Sequence, residues 1–211
     1  MDIFLELQAQ GAHNINLVSA TPYTRQVIEA LEQVKEKLPI PVVWNSSGYE
    51  CTETLELLKG YVDIYLPDLK YFDASRSKRY SNAADYFAVA SRAISVMFEQ
   101  VGKPVFDSEG ILQKGMILRH MVMPGGKADS VRILEWIAAH FSPDDILISL
   151  MSQYTPFYRS SEFPEINRRI TSLEYDFVLN RLIALGFTNG YMQEKSSAKE
   201  EYTPPFDLSG I

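Results

Sequence analysis

The chain has 211 residues and 46% hydrophobic content, enough for one sizeable core, and 27 acidic against 20 basic residues give it a net charge of -7. That balance, with no run of Lys or Arg, argues against nucleic acid and against an anionic membrane surface as partners. A single cysteine, Cys51, makes neither an intramolecular disulfide nor a thiolate cage, which excludes iron–sulfur chemistry by these residues alone.

The opening Met1-Asp2-Ile3-Phe4-Leu5-Glu6 has no basic segment followed by a long apolar run, and no stretch reaches spanning length, so a cytoplasmic protein is expected. A short helical segment from Asp2 to Ala9 ends at Gly11. Ile15 to Val18 reads as a first strand. Thr21 then caps a helix with Pro22 in first position, and Val27, Ile28, Leu31, Val34 and Leu38 share one face until Pro39. Pro41 to Trp44 is a second strand. It leads through the polar loop Asn45-Ser46-Ser47-Gly48-Tyr49-Glu50 into a short helix, Thr52 to Lys59, closed by Gly60.

Val62 to Leu66 is the third strand. A loop through Tyr80, a helix from Ala83 to Val101 and a hairpin around Asp107 to Gly115 follow. A fourth strand, Met116 to Met123, ends at Pro124-Gly125-Gly126, and Asp129 or Ser130 opens the next helix. Ile146 to Met151 is the fifth strand. An aromatic loop, a helix opened by the capping box Thr171 and Glu174 and closed at Gly186, and a polar tail from Glu194 complete the chain.

Strands alternating with helices indicate an α/β fold with a parallel sheet, placed here in one domain over residues 1–193 with a tail over 194–211. Five strands are too few to close the usual barrel of eight. The pattern fits a βα barrel lacking its first strand. It also fits an open doubly wound sheet, and periodicity does not separate the two.

In such folds the chemistry gathers at the carboxyl ends of the strands, where the loops converge on one mouth. Those ends carry Ser19-Ala20-Thr21, Asn45-Ser46-Ser47-Gly48, Asp68 and Lys70, Arg119-His120, and Ser152-Gln153-Tyr154. Alternation places Ile64, Leu66, Asp68 and Lys70 on one face of their strand, and sends Arg119 and His120 to opposite faces of theirs. Asp68 and Lys70 fit an ordinary strand-end salt bridge. They fit equally a polar ligand site, the carboxylate accepting from a ribose diol while Lys70 and Arg119 hold a carboxylate. A third reading makes Lys70 a Schiff-base nucleophile in a partly apolar pocket. His120 reads as a satisfied core histidine, and three scattered histidines make no metal motif.

At these residues the chain resembles the radical S-adenosylmethionine family, in a branch related to pyruvate formate-lyase activating enzyme. The matching stretches are Gly11 to Val18, Asn45 to Glu50, Val62 to Tyr71, Leu118 to Pro124 and Ser149 to Tyr154, in the expected order. The resemblance implies a partial (β/α)6 barrel, TIM-like, whose mouth binds S-adenosylmethionine against a [4Fe-4S] cluster. It implies 5′-deoxyadenosyl radical formation and hydrogen abstraction from a partner protein of the glycyl-radical type.

Carried over by position, Asp68 and Lys70 would contact the cofactor's ribose and carboxylate, and Arg119 would add a polar contact. Tyr154 would stand where the family has a histidine near the adenosyl group. Asn45, Ser46 and Asp68 would match a small cation site that normally has aspartate in place of Asn45, so no metal ligand is assigned. The cysteine motif C-x3-C-x2-C of the cluster is absent, and is expected in a segment preceding this chain. The glycine-rich segment after the next strand is replaced by Ser19-Ala20-Thr21-Pro22-Tyr23. The expectation is therefore a radical S-adenosylmethionine protein of activating-enzyme type, inactive without its cluster segment and with no catalytic residue assigned. A non-catalytic cofactor-binding or interaction module, and a Schiff-base lyase using Lys70, are the alternatives.

Overall fold

A computed structural model describes residues 2–192, and the tail expected from Glu194 lies outside the described residues. In chain order the elements are α1 (Asp2–Ala9), β1 (Ile15–Val18), α2 (Thr24–Val34), β2 (Val42–Ser46), α3 (Thr52–Leu58), β3 (Ile64–Pro67), α4 (Ala74–Ser81) and α5 (Tyr86–Val101). They continue as β4 (Val105–Phe106), β5 (Leu112–Met121), α6 (Lys127–His140), β6 (Leu147–Met151), α7 (Ser172–Ala184) and β7 (Gly190–Met192). The sheet runs β1-β2-β3-β5-β6-β7 with every neighbouring pair parallel, and β4 lies antiparallel on β5. This is the α/β architecture that the strand–helix alternation predicts, in the open form of a partial TIM-like barrel.

The two faces of the sheet are unequal. On one, Trp44, Tyr65, Met116, Leu118 and Leu150 are fully buried against Leu55, Ile94, Met97 and Ile137 of the helices. Each such side chain contributes about 1.5–3 kcal/mol through its removal from water, so this layer carries the stability of the domain. The other face has only a thin apolar lining of Val43, Ile64, Leu112 and Leu147, backed by Leu66 and Ile117. Alternation along each strand produces the division: neighbours Val43 and Trp44 of β2, Ile64 and Tyr65 of β3, and Ile117 and Leu118 of β5 fall into different clusters.

Four local expectations need correction. The segment read as a loop through Tyr80 contains α4, whose sequence ASRSKRYS has no apolar stripe; Asp73 starts it by accepting from the backbone amides of Ser75 and Arg76. β7 is a further strand, too short at three residues to show alternation; Gly190 is required there, since a Cβ would lie 2.2 Å from the carbonyl oxygen of Ile148. Thr21 caps nothing: Pro22 lies in a 3-10 turn, and the Thr21 hydroxyl donates to Glu50 Oε1 at 2.6 Å. Asp129 does not open α6, which begins at Lys127; its carboxylate accepts from the amides of Phe72 and Asp73 at 3.1 and 2.8 Å.

Candidate functional site

Sheet register gathers the polar side chains. The Asp68 amide donates to the Ser46 carbonyl at 3.0 Å, and Asp68 forms a parallel bridge with Arg119. Arg119 pairs with Ser149 across β5 and β6, and Ser149 pairs with Tyr191 across β6 and β7. Asp68, Arg119, Ser149 and Tyr191 thus form one row across four neighbouring strand positions, and Asn45 stands on the adjoining strand, in register with Leu66.

Arg119 is the centre of the group. One Nη2 donates to Asn45 Oδ1 at 2.8 Å and lies 2.7 Å from Asp68 Oδ1, while Lys70 Nζ lies 3.2 Å from Asp68 Oδ2. The side chains of Asp68, Arg119 and Lys70 are 14%, 24% and 38% exposed, so the group is partly buried, with Lys70 its most exposed member. One carboxylate against two cations leaves a net charge of +1, suited to an anionic group such as a carboxylate. The contact on Asp68 Oδ1 is a charge pair without an aligned hydrogen bond, and Arg119 Nε is buried with no hydrogen-bond partner among the described residues. Both atoms retain capacity for a polar ligand.

The structure sorts the remaining site residues expected from sequence. Ser46 lies on the opposite face from Asn45, and its Oγ turns back to accept from the Gly48 amide at 3.2 Å. It does not join the Arg119 group. Tyr154 lines a separate cavity of about 140 Å³ with Ser152, Arg169 and Tyr175, and its hydroxyl donates to the Ile166 carbonyl at 3.0 Å. Burial raises its pKa above the ordinary phenol value. Asn45 and Asp68 do not enclose a cation, because both Oδ1 atoms meet the Arg119 guanidinium instead. Lys70 Nζ pairs with the Asp68 carboxylate, whereas the Schiff-base reading places it in a partly apolar pocket.

His120 lies on the helix side, as alternation predicts, and is buried. Its Nδ1 is 2.6 Å from the Leu69 carbonyl oxygen and its Nε2 is 2.8 Å from Ser130 Oγ. A carbonyl only accepts, so Nδ1 carries the proton and Nε2 accepts from the serine hydroxyl. Burial lowers the histidine pKa from its ordinary value and keeps the ring neutral. Ser149 and Tyr191 join the row in addition to the residues expected from sequence. Strand register alone brings them to the row, and β7 carries no sequence signal that would place Tyr191 there.

A cluster does not fit the residues present. Cys51 is exposed with its sulfur 3.1 Å from Thr54 Oγ1, and no group of three or more His, Cys, Asp or Glu side chains among the described residues is placed to hold a metal ion. S-adenosylmethionine does fit the donor set: a carboxylate with acceptor capacity, a partly exposed ammonium and a guanidinium with an unused N–H. No helix among the described residues is long and apolar enough to cross a membrane.

No protein-family model matches the chain. An uncharacterised protein of Methanocaldococcus jannaschii is 32% identical over 169 residues, which are 79% of this chain. The chain spans 45% of that relative's length. Among solved structures, a domain of pyruvate-formate lyase-activating enzyme from Bacteroides vulgatus superposes with a TM-score of 0.60 at 12% identity, covering 86% of this chain and 98% of that domain. At that identity the likeness establishes the fold: the chain has the α/β architecture of an activating-enzyme domain.

Proposed function

We propose that this chain is a radical-S-adenosylmethionine-like module of the activating-enzyme type that binds S-adenosylmethionine at the mouth formed by β2, β3 and β5. The observation that carries the reading is the group Asn45, Asp68, Lys70 and Arg119, with buried acceptor and donor capacity left on Asp68 Oδ1 and Arg119 Nε. The activating-enzyme fold of the chain supports it. In this assignment Asp68 accepts from the ribose diol, and Lys70 and Arg119 hold the amino-acid carboxylate. The bound cofactor is the source of the 5′-deoxyadenosyl group in radical chemistry. The residues of this chain bind and orient it; with one cysteine in 211 residues they do not supply the cluster that such chemistry requires. The partner assigned by the same resemblance is a protein of the glycyl-radical type.

Calorimetric titration with S-adenosylmethionine tests the proposal. The parent chain is expected to bind, and Asp68→Ala and Arg119→Ala to lose most of that affinity. A parent chain that gives no heat and no retention in equilibrium dialysis overturns the reading in favour of a purely structural or interaction role.

A further inference from the structure

We propose that Tyr86 is a positioning residue that sets the geometry of Asp68 and Lys70 through their backbone, an inference that rests on the cofactor reading above. The tripeptide Asp68-Leu69-Lys70 lies just beyond β3, where no regular ladder holds both sides, yet its polar groups are nearly all partnered. The Asp68 and Leu69 amides donate to the carbonyls of Ser46 and Arg119 at 3.0 and 2.8 Å. The Leu69 carbonyl accepts from His120 at 2.6 Å. Of the three groups left, two, the Asp68 carbonyl and the Lys70 amide, both meet the Tyr86 hydroxyl, at 2.9 and 3.0 Å. The same hydroxyl lies 2.8 Å from the Ser47 carbonyl. One phenol oxygen therefore ties the loop after β2 to the loop after β3, accepting from Lys70 and sharing its single proton between two carbonyls.

The tyrosine is itself fixed. It is buried as the first residue of α5, its ring is stacked parallel to Tyr49 with centroids 6.0 Å apart, and its edge meets Tyr71 at 5.6 Å. The Tyr49 hydroxyl donates to Asp85 Oδ1 at 2.8 Å, which closes a clasp over the start of α5. Gly48 keeps the two loops close enough for the hydroxyl to span them, since a Cβ there would lie 2.1 Å from the Asp68 carbonyl oxygen. Burial holds the phenol pKa far above its ordinary value, so the donated proton stays in place across the working pH range. Tyr86 lies on the helix side of the sheet, whereas Asp68 and Lys70 face the mouth. It acts on a ligand only through them.

Tyr86→Phe keeps the ring and removes the hydroxyl. Calorimetry with S-adenosylmethionine is expected to show affinity lowered roughly fivefold, the equivalent of one hydrogen bond. Amide hydrogen exchange supplies the readout that a merely structural role would not move: the Lys70 amide accelerates, while the Ile133 and Ile137 amides of α6 keep their parent rates. Unchanged affinity, or exchange raised equally at all three sites, overturns the proposal. Should Tyr86→Phe fail to fold, the parent chain decides, because a Lys70 amide exchanging at the rate of an unstructured peptide would mean that the hydroxyl holds nothing. A parent chain that does not bind S-adenosylmethionine sinks the cofactor reading, and the Lys70 exchange rate still decides whether Tyr86 holds the tripeptide.

Discussion

The Arg119 guanidinium and the Asp68 carboxylate meet at 2.7 Å above a backbone bridge between the same two residues. Their side chains are therefore aligned by sheet register, which removes much of the entropy cost that makes most surface ion pairs worthless. Removing the acid leaves Arg119 and Lys70 facing one another without a counter-charge. With all three side chains partly exposed, solvent screens part of the penalty. Asp68→Ala is expected to cost roughly 1–3 kcal/mol of stability, below the range for a fully buried pair. Urea unfolding measures it, and a midpoint equal to the parent's would show that the pair contributes nothing.

Gly48 has a backbone φ of +76°, and an added methyl would meet the Asp68 carbonyl oxygen at 2.1 Å. Neither the conformation nor the space suits any other residue. Gly48→Ala should destabilise by about 2 kcal/mol or more, from left-handed strain together with displacement of the loop after β3. Thermal unfolding checks this. Gly60→Ala, also at positive φ but with nothing within 4 Å, is the control that isolates strain from collision.

How much of this was readable in the sequence depends on which force does the placing. Alternation along β3 and β5 is a local property, so the shared face of Asp68 and Lys70 and the opposed faces of Arg119 and His120 follow from residue order. Ser46 shows the same rule neglected: as the neighbour of Asn45 it had to face the other way, and it does. The Tyr86 contacts have no such local signature, because a tyrosine opening an amphipathic helix reads as core, and only the packing of α5 brings its hydroxyl to loops 16 to 39 residues away. Tyr154 was carried over by position along the chain. The loop it stands on turns its hydroxyl to Ile166, and no strand register constrains that turn.

His120 makes stability depend on pH in a direction that can be stated in advance. Its folded-state pKa lies below the ordinary 6.5, because desolvation of the buried ring penalises the imidazolium by more than the Leu69 carbonyl and the Asp129 and Asp68 carboxylates favour it. A depressed histidine pKa means that the unfolded chain takes up the proton first. The contribution of His120 is then complete above about pH 6.5 and declines as the pH falls below it. The parent's melting temperature should drop between pH 7.5 and pH 5.5, and the drop should be smaller in His120→Gln. Identical slopes in the two proteins would assign the acid sensitivity to other groups.

The activating-enzyme resemblance implies a [4Fe-4S] cluster. A [4Fe-4S] cluster is held by cysteine thiolates, commonly four from the protein or three with an external ligand. The 211 residues contain Cys51 alone. That thiol is exposed at the start of α3, beside Thr54. Anaerobic incubation of this chain with iron and sulfide is expected to give a desalted protein with no charge-transfer absorption in the visible range and less than one iron per chain. Cys51→Ala should behave identically. A stable brown protein with about four irons, lost in Cys51→Ala, would show that the chain assembles a cluster between copies through Cys51, and the separation of cofactor binding from cluster binding argued for these residues would fall.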